Sequence, residues 1–349
     1  MIDIIIPAYN NRDTIVNTLG SIMSQVNIKD IQTTIVNDAG EDYKEIIERF
    51  SPYMDVREIS YDKNRGPGYA RQYGIDHTKN EYIVFIDADD TFYGTQAVGM
   101  LTKPLDDFSS AAFVISPFLQ YGKEIGQVAP VNANLTWVFG HAYRRKFLDK
   151  HNIRFTPTRA NEDVGFNACI NLIAKHELGE EYGKIIPAPT YEWRYNEISI
   201  TRRGKSEYAN GICTPGFIYN THQAYEVAQR EGVPMKEIAK DAMGALFSCF
   251  IYYCVALQQQ DLPKETLESI ETLSRKFFYD YYKQSKEFLS NDEYKNIYTA
   301  SMNGKGNHLQ GVIFKMTLDE FIDLMFSKPV DKKSYAQIEE EVQNIVQQD

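Results

Sequence analysis

The sequence predicts an α/β fold: a mostly parallel sheet with helices on both faces, followed by an α-helical C-terminal region. Three observations lead there. Short β-rich apolar runs, "IDIII" (2–6), "IQTTIVN" (31–37), "VREIS" (56–60) and "YIVFI" (82–86), alternate with segments of helical periodicity. The runs are close to continuously apolar, which is the pattern of strands covered on both sides. From about Ser206 onward strand signals vanish and helical patterns take over.

The elements follow in order. Between the first two strands Ile15, Leu19, Ile22 and Val26 recur at helical spacing, as Ile46, Ile47 and Phe50 do in the next link, and a third helix is expected over 68–78. "AAFVISPFL" (111–119) reads as a strand, and helices are expected over 143–151 and 162–175, the latter with Val164, Ala168, Leu172 and Ile173 on its apolar face. "IIPAPTYEWRYN" (185–196) reads as extended and proline-marked. Helical patterns then fill 217–231, 235–260, 264–289 and 317–327, "NGKGNH" (303–308) is a loop, and a charged helix, "YAQIEEEVQNIVQQ", closes the chain. No repeat or low-complexity tract is present.

Composition narrows the class. The 349 residues are 43% hydrophobic and 24% charged, with 24 Tyr and 19 Phe, enough for a core and a ligand-lining surface. A net charge of -11 repels a polyanion at long range and disfavours a dedicated nucleic-acid binder. Two short basic stretches, "YRRK" (143–146) and "TRRGK" (201–205), still offer a local phosphate track. Cys169, Cys213, Cys249 and Cys254 form no CxxC and no Cys/His cluster, so a reducing compartment is expected. "MIDIIIPAYN" reads as a strand, and the apolar run "AMGALFSCFIYYCVAL" (242–257) as a buried helix shorter than a bilayer needs. The expectation is a chain with no transmembrane segment, cytoplasmic or peripheral at a membrane.

Parallel sheets bind ligands outside the carboxyl ends of their strands. Here those ends read "PAYNN", "DAG", "DKNRGPG" and "DADD". The last packs Asp87, Asp89 and Asp90 against an apolar strand, where like charges repel unless water or a cation separates them. A solvated turn is one reading. An aspartyl phosphatase of the haloacid dehalogenase type is another, since Asp87, Asp89 and Thr91 match DxDxT literally. It leaves "PAYNN" and "DKNRGPGYAR" without a role. A third is a sugar transferase, in which carboxylates hold a hard divalent cation against a sugar diphosphate.

The ordered set "IDIIIPAYNN…TTIVNDAG…DKNRGPGYARQYGI…EYIVFIDADD" resembles the nucleotide-binding half of family 2 glycosyltransferases, enzymes of the GT-A fold. The likeness runs in register over roughly the first 95 residues and more weakly through "RANEDVGF" and "YEWRYNEISITRR", to about residue 203. It implies a catalytic domain over 1–205, with 1–95 for the nucleotide-sugar and 96–205 for acceptor and catalysis, then a helical region over 206–349. Pro7, Ala8, Tyr9 and Asn10 would cradle the base, Asp38 would bond the uracil, and Asn64, Gly66, Gly68 and Arg71 would line the diphosphate. Asp87 would meet the ribose or the water shell of the metal, Ala88 would belong to the nucleotide-sugar site, and Asp89, with Asp87, would bind Mn²⁺ or Mg²⁺. The family often has Asn where this chain has Gln72.

In "RANEDVGFNACI" the same resemblance makes Asp163 the base that deprotonates the acceptor hydroxyl in an inverting displacement, beside Glu162. Read without the family, both are helix N-terminal carboxylates stabilised by the macrodipole, which would lower the Asp163 pKa. Trp193, Arg202, Arg203 and Lys205 fall in a segment resembling the one that closes over donor and acceptor; a core tryptophan and a solvated basic cluster are the plainer readings. His141 is the histidine nearest the expected site, with no metal-ligand spacing. The implied partners are a nucleotide-sugar donor, UDP-linked by preference, and a glycan or polymer acceptor. That acceptor would be a cell-surface polysaccharide or teichoic-acid-like polymer, with a protein or modified nucleic acid as alternatives. A non-catalytic glycan-binding scaffold is the reading from another class. The C-terminal helices would serve acceptor choice or homo-oligomer contacts.

Overall fold

The computed structural model describes residues 1–197, 213–259, 262–304 and 312–346. Its contacts divide into two compact units, Met1–Glu197 and Ile198–Asp349. The first is built on strands β1 (Ile2–Ala8), β2 (Ile31–Asn37), β3 (Asp55–Ser60) and β4 (Tyr82–Phe85), linked by helices α1 (Arg12–Met23), α2 (Lys44–Phe50) and α3 (Pro67–Asp76). These four strands are parallel, in the order β4-β1-β2-β3, so their carboxyl ends share one edge.

Side-chain alternation along β1 explains the two helical layers. Ile4 and Ile6 face a core shared with Ile15, Leu19 and Ile22 of α1 and Ile46 of α2. Ile5 points the other way, onto α3, where a Cβ on Gly74 would lie 2.4 Å from its Cγ2. Both faces are covered, which is why the strands are apolar throughout.

The sequence reading departs from the structure in four places within this unit. The 111–119 run is two strands, because Pro117 carries no N–H to continue a ladder. Its first part, β6 (Phe113–Ile115), joins the main sheet. Its second part, β7 (Phe118–Tyr121), joins a small sheet with β5 (Thr91–Phe92), β8 (Val128–Val131) and β11 (Tyr191–Trp193) that was not foreseen. The region expected as a helix from 143 begins as β9 (His141–Arg144), which runs antiparallel between β4 and β6; only α5 (Arg145–Lys150) is helical. Helix α4 (Ala97–Asp107), with Pro104 inside it, was also unread. The unit is completed by α6 (Glu162–Leu178) and β10 (Gly183–Ile185), which pairs parallel with β6.

The "YRRK" stretch is structural. Arg144 donates to the carbonyls of Ala111, Leu105 and Phe108, and Arg145 to Asn80, Ile75, Thr78 and the fully buried Asp3. Guanidiniums committed to buried acceptors are not a phosphate track.

The second unit is helical: α7 (Cys213–Arg230), α8 (Met235–Ala256), α9 (Lys264–Glu287), α10 (Asn291–Gly304), α11 (Leu318–Phe326) and α12 (Tyr335–Val346). Helix α10 was missed because its sequence is polar and none of its residues is buried. Helix α8 has 22 residues, longer than its apolar run, and is long and apolar enough by composition to cross a membrane; 67% of its most apolar window is buried inside the protein, as in a core helix. Cys249 and Cys254 are buried core residues on it.

Candidate active site

The carboxyl ends of β1, β2 and β4 and the start of α6 bring the predicted residues to one region. At β1 the chain turns through Asn10 in the left-handed region (φ 57°), whose Oδ1 accepts the Glu41 N–H at 3.1 Å. Tyr9 is 47% exposed beside it, whereas Ala8 is buried. Asp38, after β2, is buried, and its two oxygens accept the backbone N–H groups of Arg65 (2.7 Å) and Gly66 (2.9 Å). It therefore anchors the loop before α3. Burial raises its pKa above the usual carboxylate value, against those hydrogen bonds.

The glycines of that loop divide by role. Gly66 has φ +84°, a conformation that costs a side-chain-bearing residue of the L series. Gly68 was expected to admit the ligand; instead a Cβ there would lie 2.3 Å from the Thr156 carbonyl and 3.0 Å from Glu162 Cβ. Its missing side chain lets α3 pack against the segment that leads into α6. Asn64 Oδ1 accepts from Arg159 Nη1 at 2.9 Å, tying the same two segments.

Arg71 joins the strand-end carboxylate of Asp87 to Glu162, the neighbour of Asp163. It is 5% exposed; Nη2 donates to Asp87 Oδ1 at 2.7 Å and Nη1 to Glu162. The three carboxylates of Asp87, Glu162 and Asp163 raise the guanidinium's pKa further despite burial. One cation thus faces three acids. Burial and neighbouring like charge raise the pKa of both Glu162 and Asp163. For Asp163, burial first, then the neighbouring Glu162 charge, push the pKa up to about 8. The expected lowering by the helix N-terminus is overturned, because desolvation and a like charge outweigh a terminal dipole and the Val164 N–H that Asp163 accepts at 2.8 Å. Glu162 is buried and salt-bridged, while Asp163 keeps partial exposure.

At the end of β4 the three aspartates differ. Asp90 is 1% exposed, accepting from the Tyr191 hydroxyl and the Arg194 N–H, both at 2.7 Å. Burial, then the charges of Asp89 and Asp87, raise its pKa well above normal. Asp90 is therefore a strut between the strand end and β11. Ala88 is buried in the core cluster. Asp89 accepts from Asn196 Nδ2 at 2.7 Å, and Asp87 keeps a 32% exposed side chain.

Asp87 and Asp89 offer hard oxygen donors, and among the described residues no group of three or more His, Cys, Asp or Glu forms a cage. Mg²⁺ is commonly held by one or two carboxylates with substrate phosphates completing its shell, so this donor set fits Mg²⁺ or Mn²⁺ with a diphosphate. His141 is buried, with Nδ1 2.9 Å from the Tyr143 hydroxyl and Nε2 3.0 Å from the Asn134 carbonyl; burial lowers its pKa to about 3. Its nitrogens are taken by protein groups.

Trp193 packs with Trp137, Phe139 and Phe118 in an aromatic cluster. Arg202, Arg203 and Lys205 lie outside the described residues. Sequence reasoning missed Tyr191, Asn196 and Trp137, whose proximity to the site depends on the small sheet. A concavity of about 780 Å³ lies at the opposite end of the main sheet, lined by Met1, Glu81, Tyr82 and Asp106 among others. It is remote from these carboxylates.

Comparison with known proteins agrees with this arrangement. Residues 3–161 match the model of the family described as "Glycosyl transferase family 2". The succinoglycan biosynthesis protein ExoO of Rhizobium meliloti is 36% identical over 87 residues, 25% of this chain and 25% of that protein. The teichoic acid poly(glycerol phosphate) polymerase of Staphylococcus epidermidis is 26% identical over 165 residues, 46% of this chain and 19% of that one. The chain thus spans a quarter or less of either relative. In fold it is similar to S. aureus TarS 1–349 in complex with UDP-GlcNAc, with a TM-score of 0.50 at 15% identity, covering 87% of this chain and 92% of that one. The family match, over residues 3–161 and so just under half of the chain, falls on the stretch that carries the parallel strands, their acidic ends and Arg71.

Proposed function

We propose that the chain is an inverting glycosyltransferase that moves a sugar from a UDP-sugar to a hydroxyl of a polysaccharide or teichoic-acid-like polymer. The observation that carries this is the Asp87–Arg71–Glu162 bridge, which couples the strand-end carboxylates to the helix bearing Asp163. The UDP preference draws on the UDP-GlcNAc complex of TarS, and the acceptor class on the relatives named for succinoglycan and teichoic acid. The catalytic domain would span 1–205, the helical region serving acceptor choice or self-association at the cytoplasmic membrane face.

In this mechanism the loops after β1 and β2 hold the nucleoside through Tyr9, Asn10 and the Asp38-anchored backbone. Asp89 and Asp87 would hold a divalent cation, which when bound would neutralise the charge of the diphosphate leaving group. Asp163 takes the proton of the acceptor hydroxyl as that oxygen bonds to the anomeric carbon and the carbon–diphosphate bond breaks. One displacement inverts the configuration. Arg71 and Glu162 fix the orientation of α6 relative to the donor carboxylates, and a base with its pKa raised to about 8 is stronger than a surface aspartate.

The test is thermal stabilisation by UDP-, GDP-, CMP- and dTDP-sugars, each with Mn²⁺ and with chelator. A Mn²⁺-dependent shift with a UDP-sugar, retained in Asp163→Asn while transfer is lost, is the expected result. Stabilisation by no nucleotide-sugar would overturn the proposal.

A further inference from the structure

Trp137 and Trp193 are the two tryptophans of the chain. Their ring centroids lie 6.2 Å apart, although 56 positions separate them in sequence. Each is tied to a different half of the candidate site. Trp193 ends β11, whose Tyr191 hydroxyl accepts the Asp87 N–H (3.1 Å) and donates to Asp90 (2.7 Å). The next residue, Arg194, donates its N–H to Asp90, and Asn196 bonds Asp89.

Trp137 is held from the other side. Its carbonyl accepts Asn167 Nδ2 at 2.7 Å, and Asn167 is fully buried on α6. Four residues separate Asn167 from Asp163, so the two stand on one helical face about 6 Å apart along the axis. Asn167 also accepts the Tyr143 hydroxyl at 2.7 Å. A buried polar chain therefore locks the loop carrying Trp137 to the helix carrying the proposed base.

The two indoles are backed by a rigid aromatic floor. Phe139 stacks on Trp137 (5.5 Å, 15°) and on Trp193 (6.1 Å, 27°), with Phe118 set edge-on to both. Both tryptophans are only partly buried against the core. Partly buried, rigidly backed indoles tied to the strand-end aspartates and to α6 match the usual make-up of a ligand pocket, apolar walls with few convergent polar groups.

We propose that Trp137, with Trp193, forms the acceptor subsite, taking the apolar face of a saccharide or polyol unit whose hydroxyl is presented to Asp163. This rests on the transferase reading above. The acceptor is favoured over the donor sugar because Trp137 is anchored to α6, and the proton must pass from the acceptor oxygen to Asp163 on that helix. The new bond joins the acceptor oxygen to the anomeric carbon, the anomeric carbon–diphosphate bond breaks with its electron pair, and the proton ends on Asp163.

With two tryptophans, both here, intrinsic emission is a local probe. Trp193→Phe leaves Trp137 as sole emitter. To this variant, saturated with UDP and Mn²⁺, methyl glycosides and a poly(glycerol phosphate) oligomer are added in turn. The compound that serves as acceptor should quench and blue-shift the emission, which UDP alone leaves unchanged. Trp137→Ala should raise the acceptor KM roughly thirtyfold, the scale of an aromatic anchor lost, with donor affinity intact. Trp137→Phe preserves packing and should give a smaller rise at unchanged Tm. An acceptor KM unmoved in Trp137→Ala and Trp137→Phe, with transfer intact, would overturn the subsite alone. A response to the sugar of the donor and none to any acceptor would do the same. Absence of UDP-sugar binding in the parent protein would overturn the transferase reading and the subsite together.

Discussion

Replacing Asp163 by asparagine should abolish transfer and at the same time stabilise the protein at pH 8. Burial and the Glu162 charge push the Asp163 pKa up to about 8 in the folded chain, against 3.8 for a solvated aspartate. Between those limits the native state holds a proton that the unfolded chain has released, so stability falls as pH increases, by up to about 1.4 kcal/mol per pH unit. The accumulated cost reaches on the order of 5 kcal/mol at pH 8. An amide of the same shape carries no such charge and can still accept the Val164 N–H. Its own –NH₂ needs a partner, which offsets about 1–3 kcal/mol. Asp163→Asn should then be about 1–3 kcal/mol weaker than the parent near pH 4 and exceed it by about 2–4 kcal/mol at pH 8. Urea denaturation of both proteins at pH 4.5, 6 and 8, with chelator and without donor, measures this. A stability difference that does not change with pH, or a variant weaker than the parent at pH 8, would refute the raised Asp163 pKa. In the active enzyme the same group predicts that kcat/KM rises with pH to a limb near 8.

Four other outcomes follow from the geometry. Arg71→Met leaves Asp87 and Glu162 without their shared cation, and should cost about 3–5 kcal/mol by chemical denaturation; Glu162→Gln, which keeps a hydrogen-bond acceptor for Arg71, should cost less. Gly68→Ala places a methyl group 2.3 Å from the Thr156 carbonyl and should lower stability by roughly 1–3 kcal/mol, visible as a drop in Tm. Asp90→Ala should loosen β11 from the strand end, weakening UDP-sugar affinity through misplacement of Asp89 although Asp90 itself touches no ligand; equal donor affinity in calorimetry would contradict that role. Chelation of divalent metal should remove donor-induced stabilisation in the parent, and Asp89→Asn should reproduce the loss with metal present.

The parallel pairing of β1 to β4 and the polar chemistry of their carboxyl ends were legible because both depend on local signals. Apolar runs declare strands, turn residues declare their ends, and parallel strands must deliver those ends to one edge. That is enough to single out Asp38, Asp87 and Asp89, whereas Arg71, Glu162 and Asp163 stood out only through the resemblance to family 2 glycosyltransferases. What each of them does was legible only in part. Asp38 spends its oxygens on the Arg65 and Gly66 amides, Arg71 spends its guanidinium on two carboxylates, and Gly68 yields space to Thr156. These partners come from segments up to 91 residues away.

By itself the sequence determined a mostly parallel sheet with helices on both faces in the first unit, the helical character of the second and the aspartates at the strand ends. Periodicity and turn chemistry act over a few residues and survive without knowledge of the rest of the chain. The tertiary structure alone decided that β9 enters the sheet antiparallel, that a second small sheet carries Tyr191 to the strand-end aspartates, and that the Asp163 pKa is raised and not lowered. Strand insertion is set by which edges remain to be paired, and a carboxyl's protonation by burial and the charges that packing assembles around it; both are sums over distant parts of the chain, absent from any local window of residues.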